Sequence, residues 1–145
     1  MQVKHELTER RLLVADAAGA LAPLLPPAQA AQAVLKLLAA VLQDGQPQVR
    51  CQGLASLARL TATLGPDLSS FGNVLRLLLT AAADGSADVI QVLLQTALPA
   101  VLAWVGDSEL LVTELLPQVS VALLSSCCIV ASVRAALQAP GMHCA

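Results

Sequence analysis

A segment of this chain returns almost unchanged forty residues further on. Val34-Leu35-Lys36-Leu37-Leu38 is followed by Asp44-Gly45, and Val74-Leu75-Arg76-Leu77-Leu78 is followed by Asp84-Gly85. The cation holds the same slot in the same apolar quintet, and the same turn dipeptide closes both copies after the same gap. Self-similarity at this period marks arrays of helical pairs, in which a unit buries its apolar face only by stacking on its neighbours. Composition agrees. The 145 residues are 57% hydrophobic and 12% charged, against the ~25% charged share of ordinary soluble domains. Leu and Ala, strong helix formers, supply the bulk, with one Phe (Phe71), one Trp (Trp104) and no Tyr. So little charge suits a piece of a longer stack whose ends meet further units.

The predicted fold is all-α, a HEAT/armadillo-like α-solenoid of about three helical pairs over residues 1–138, in approximate units 5–25, 28–65, 67–105 and 108–138. First helices of the pairs are predicted over 28–43, 67–83 and 108–125. Second helices are predicted over 5–22, 47–64, 87–104 and, incompletely, 127–138. Val34, Leu35, Leu38, Val41 and Leu42 recur at helical spacing. Pro47 suits a first helical turn, where its missing N–H costs nothing. Ser86 is expected to cap the helix after it by accepting a first-turn N–H. Gly65-Pro66-Asp67 and Gly106-Asp107-Ser108 each end one unit and open the next. Pro117 stands where Leu37 and Leu77 predict a leucine, so a kink or a slip in register is expected there. Residues 139–145 break the pattern and read as a frayed tail.

Several functions are excluded by what the chain lacks. The net charge is −2, and only Lys4, Arg10 and Arg11 cluster, so no basic stripe invites nucleic acid. Cys51, Cys127, Cys128 and Cys144 show no CxxC spacing, and His5 and His143 lie near opposite ends, which argues against a metal, a cofactor or a disulfide framework. Cys127 and Cys128 with His143 lack an orienting third group, so no catalytic residues and no enzyme are expected. The stretch from Met1 to Arg11 is charged and without an apolar core, unlike a secretory leader. Windows from Val89 to Gly106 and from Leu115 to Val133 approach the ~20 apolar residues that cross a bilayer. Gln91, Gln95, Thr96, Pro99, Pro117 and Gln118 dilute them, which favours buried repeat helices and a peripheral membrane association at most.

Asp44-Gly45 and Asp84-Gly85 are predicted as turns, with Asp bonding its own backbone and Gly supplying positive φ. Arg50 is expected to reach a loop aspartate of a neighbouring unit, a ladder that Ile90, forty residues on, would interrupt. A polar stripe is the candidate surface for partners. Gln48, Gln52 and Arg59 share one face of the 47–64 helix, and Gln91 and Gln95 follow on the next second helix. Such helices line the concave side of a solenoid, where extended partners lie; the plainer reading is a solvated face. Trp104 is expected to plug the end of its unit in the slot of Leu64, with an interface anchor as the alternative.

Glu9-Arg10-Arg11-Leu12-Leu13-Val14, leading into Gly19-Ala20-Leu21-Ala22-Pro23-Leu24-Leu25-Pro26, resembles the RELCH family of LisH-, coiled-coil- and HEAT-containing proteins. Val49-Arg50 after the first turn, and Leu98 to Trp104, are similar in order and spacing, so the likeness runs over residues 4–118. No LisH or coiled-coil part lies in this stretch. The resemblance implies a non-enzymatic cytoplasmic scaffold of recycling endosomes and the trans-Golgi network. It implies two partners, a Rab-type small GTPase and an oxysterol-binding lipid transfer protein, and a role in intracellular cholesterol transport. The residues themselves leave open a HEAT-repeat regulatory or assembly subunit of a phosphatase or chaperone complex.

Overall fold

The computed structural model describes residues 2–64, 68–106 and 108–124. Every regular element among them is helical, with no strand. The helices are α1 (Gln2–Leu21), α2 (Pro27–Val41), α3 (Pro47–Leu64), α4 (Phe71–Ala82), α5 (Ala87–Val92), α6 (Leu98–Val105) and α7 (Leu116–Leu124). A 3-10 turn, Ala22–Leu24, follows α1. The π turn Leu93–Ala97 joins α5 and α6 into one rod, and a second π turn, Leu111–Leu115, leads into α7.

The forty-residue repeat is explained by what each position of the quintet touches. Val34, Leu35 and Leu38 on α2 are buried, as are Val74, Leu75 and Leu78 on α4, while Lys36 and Arg76 face out. The one polar slot is thus the one that looks at water. These residues join Leu54, Leu57, Leu60 and Leu64 of α3, and Val89, Leu93, Ala97, Val101 and Val105 of the α5–α6 rod, in a single core. Fully burying a side chain of this size contributes about 1.5–3 kcal/mol. A smaller cluster of Ala15, Val41 and Val49, with Leu12 against it, seals α1 onto α2 and α3.

Packing follows chain order. α3 lies against α1, α2 and the α5–α6 rod, while α4 packs against α2 and α7. The α1–α3 seam is made of small residues. A Cβ added at Gly19 would meet the Ser56 Cα at 3.0 Å, and the buried Ser56 hydroxyl donates to the Ala15 carbonyl at 2.5 Å. Close approach there needs glycine.

The helix ends follow the punctuation in most places. α3 begins at Pro47 and ends at Leu64, the bounds that the sequence predicts. Gly106 closes α6 with φ +60° and donates its N–H to the Leu102 carbonyl at 3.0 Å. Ser108 Oγ then accepts the Leu110 N–H at 3.3 Å. Three expectations are corrected. α4 starts at Phe71 rather than 67, because residues 68–70 form a turn in which the Leu68 carbonyl takes the Phe71 N–H at 3.0 Å. Ser86 does not cap α5 with its side chain; Asp84 Oδ1 instead accepts the Ser86 N–H at 2.8 Å. Among the described residues only Gly106 has positive φ, so Gly45 and Gly85 do not supply it.

The kink expected at Pro117 takes the form of a π turn, and Pro99 has one as well. Each π turn ends two residues before its proline. Proline has no N–H to give and its ring crowds the carbonyl four residues back; a turn widened by one residue absorbs both problems. Gly65, Pro66, Asp67, Asp107, the final second helix expected over 127–138 and the tail at 139–145 lie outside the described residues. Of the two apolar windows, the first falls in the rod Ala87–Val105, 19 residues of mean hydropathy 1.6. By length and composition it is able to cross a membrane. Here one side of it, Val89, Ile90, Leu93, Ala97, Val101 and Val105, is buried in the protein core.

Candidate partner-binding face

The candidate stripe sits on the second helices. Gln48 and Arg59 are exposed and Gln52 is half-buried on α3; Gln91 on α5 and Gln95 in the π turn beyond it are exposed. Two of these side chains meet on a residue the sequence reading passed over. Asp16 of α1 accepts from Gln52 Nε2 at 3.2 Å and from Arg59 Nη1 at 3.2 Å. The Arg59 and Asp16 side chains are 48% and 58% exposed. A pair this wet contributes about 0–1 kcal/mol, so either partner is released cheaply. Donors, acceptors and one readily freed guanidinium thus stand on the outer faces of α3 and the α5–α6 rod.

A charge ladder joins α1 and α3 to the two Asp-Gly turns. Arg11 of α1 forks onto Asp44, Nε to Oδ2 at 2.6 Å and Nη2 to Oδ1 at 3.3 Å. Asp44 Oδ1 also accepts the Gln46 N–H at 2.9 Å, and Arg50 Nη1 donates to the Asp44 backbone carbonyl at 2.7 Å. Arg50 in turn pairs with Asp84: Nη2 donates to Oδ1 at 3.2 Å, and Nε lies 2.7 Å from Oδ2 as an ion pair without hydrogen-bond geometry. Both aspartates therefore organise their own turn and receive the arginine of the preceding second helix. Charge-assisted contacts of this kind are about twice as strong as neutral ones. The expected Arg50 contact is present. It is the second rung of a ladder whose first rung, Arg11, sits 39 rather than 40 residues earlier. That one-residue offset is the signal the period concealed.

Electrostatics agrees with the geometry. Burial pushes the Asp44 carboxyl up, but the Gln46 N–H, Arg11 and Arg50 together outweigh it and hold the group below its ordinary 3.8. Cys51, half-buried beside Arg50, is pushed above the usual thiol value by burial and by Asp88 and Asp84, which leaves it a poor nucleophile. Cys127, Cys128, Cys144 and His143 lie outside the described residues. Trp104 is half-buried against the core and stacks at a tilt on Phe71, ring centroids 6.4 Å apart. Its Nε1 is enclosed without a hydrogen-bond partner. Among the described residues no group of three His, Cys, Asp or Glu gathers for a metal.

The family model described as the RAB11-binding protein RELCH N-terminal domain matches residues 1–141. The chain belongs to the RELCH family. Among curated RELCH relatives, a RAB11-binding protein RELCH homolog of Xenopus tropicalis is 38% identical over 118 residues, and the Mus musculus RAB11-binding protein RELCH is 36% identical over 117. The Danio rerio homolog is 31% identical over 116 residues. Each match covers 80% of this chain and about a tenth of the relative. The RELCH likeness carried by residues 9–26 is thus shown over nearly the whole chain. No solved structure matches it.

Proposed function

We propose that this chain is a HEAT-like solenoid segment of a non-enzymatic RELCH-type scaffold that binds a Rab11-type GTPase. The observation that carries the reading is the family match over residues 1–141, to proteins named for binding RAB11. The order of helix packing supports stacked pairs, since second helices meet second helices and first helices meet first helices. In this reading Gln48, Gln52, Arg59, Gln91 and Gln95 form the concave face. Arg59 exchanges Asp16 for an acceptor on the GTPase. Recognition by a rigid polar surface needs no chemistry, and the described residues carry no arrangement for it. In the cell the scaffold works from the cytoplasm at recycling endosomes and the periphery of the trans-Golgi network. It joins the GTPase to an oxysterol-binding lipid transfer protein and so promotes cholesterol movement.

Pulldown with the 145-residue chain on beads tests it. GTP-loaded Rab11 is retained and GDP-loaded Rab11 is not. Arg59→Glu sets two like charges side by side at the Asp16 contact. It leaves the helical circular dichroism unchanged and weakens retention about tenfold, the effect of one lost charged hydrogen bond. Equal retention of both nucleotide forms, or capture of a phosphatase catalytic subunit in place of the GTPase, refutes the reading.

A further inference from the structure

The outward cations that open the repeat do not point into featureless solvent. Lys36 on α2 and Arg76 on α4 stand on the two sides of a groove of about 390 Å³. Leu35, Leu77 and the small side chains of Ala31 and Ala39 line its apolar part, and Gln32 and Asn73 lie beside the cations. Among the described residues no carboxylate lines the groove. Among the described residues neither Lys36 nor Arg76 has an ion-pair partner, whereas Arg11, Arg50 and Arg59 all do. The groove lies between first helices, apart from the polar stripe on the second helices.

We propose that this groove docks an acidic segment of another protein, with an apolar side chain seated over Leu35 and Leu77 and carboxylates on either side of it paired to Lys36 and Arg76. Charge complementarity names the occupant. Two unpaired cations over an apolar floor fit carboxylates that flank a hydrophobic anchor, and the amides of Gln32 and Asn73 are placed to bind the segment's backbone. The volume sits at the low end of the ~300–1,000 Å³ typical of ligand clefts, room for a few side chains. A lipid surface is recognised by clusters of about 4–8 cations, which this face does not have. The proposal stands independently of the GTPase reading, because it uses other helices and a different chemistry.

The test is an NMR titration of the 15N-labelled 145-residue chain with a panel of short peptides. Each peptide carries one Leu and two Glu, the Glu spaced from two to seven residues apart, and each has a matched version with Gln for Glu. The expected result is shifts confined to the amides of residues 31–39 and 73–77, for at least one Glu spacing and for none of the Gln versions. Lys36→Gln weakens that binding about tenfold. Lys36→Glu with Arg76→Glu abolishes it, keeps the melting temperature, and transfers binding to a further version of the peptide that carries Lys in place of each Glu. Shifts that ignore Glu-to-Gln replacement, the absence of any carboxylate-dependent shift across the panel, or a groove that responds only to vesicles of anionic phospholipid would each overturn it.

Discussion

At the scale of single residues, Arg50 is the joint of the molecule. It holds the backbone of one turn and the carboxylate of the next, and its side chain and that of Asp84 are only 16% and 11% exposed. Replacing it with Ala strands a mostly enclosed carboxylate and a carbonyl. Arg50→Ala is expected to cost about 2–4 kcal/mol in chemical denaturation, beyond what a wet surface pair such as Arg59–Asp16 contributes. Asp44 sets a pH dependence. Its pKa is lower in the folded chain than the ordinary 3.8, so its contribution is fully present above that value and lost as pH falls through the lower, folded one. Denaturant midpoints measured from about pH 6 to pH 2 should show Asp44→Asn less stable at the high end and flatter in the acid limb. The Arg50 contact was legible from the sequence because repeat chemistry told where to look. Asp16 was not, since its partners lie 36 and 43 residues away, across a helix pair whose register no periodicity fixes.

At the scale of elements, the quintet and the turn dipeptide do most of the specifying. Leu38 and Leu78 occupy the same slot and both are fully buried. Leu38→Ala and Leu78→Ala should therefore destabilise by similar amounts, about 2–5 kcal/mol each. Thermal or urea melts showing one of them near neutral would break the equivalence of α2 and α4. Helix bounds were readable where proline or glycine fixes the backbone, as at Pro47 and Gly106. They were misread at α4, where residues 68–70 have no such marker. The π turns were half visible: Pro117 announced one by displacing an expected leucine, whereas Pro99 passed as a mere diluent of an apolar run. Ser86 was a plausible cap by residue type, but the carboxylate of Asp84 reaches its N–H first.

For the whole molecule, the charge ladder and the apolar core tie neighbouring pairs along the same direction. Arg11 and Arg50 each cross from a second helix to the turn of the following pair, and the core passes from α2 through α3 and α4 to the α5–α6 rod. The all-α class was legible because strong helix formers, Leu and Ala, supply the bulk of the chain. The partner was not, because polar side chains on a helix face carry no name; the RELCH match supplies the candidate. The proposal depends on helical pairs succeeding one another, with α3 as the middle of three second helices. Methyl and amide NOEs in the 145-residue chain measure that arrangement directly. The predicted result is one set of contacts from α3 to α1, including Ala15 to Ser56, and a second set from the opposite side of α3 to the α5–α6 rod. Contacts that place α1 directly against the rod, with α3 excluded from between them, would contradict it.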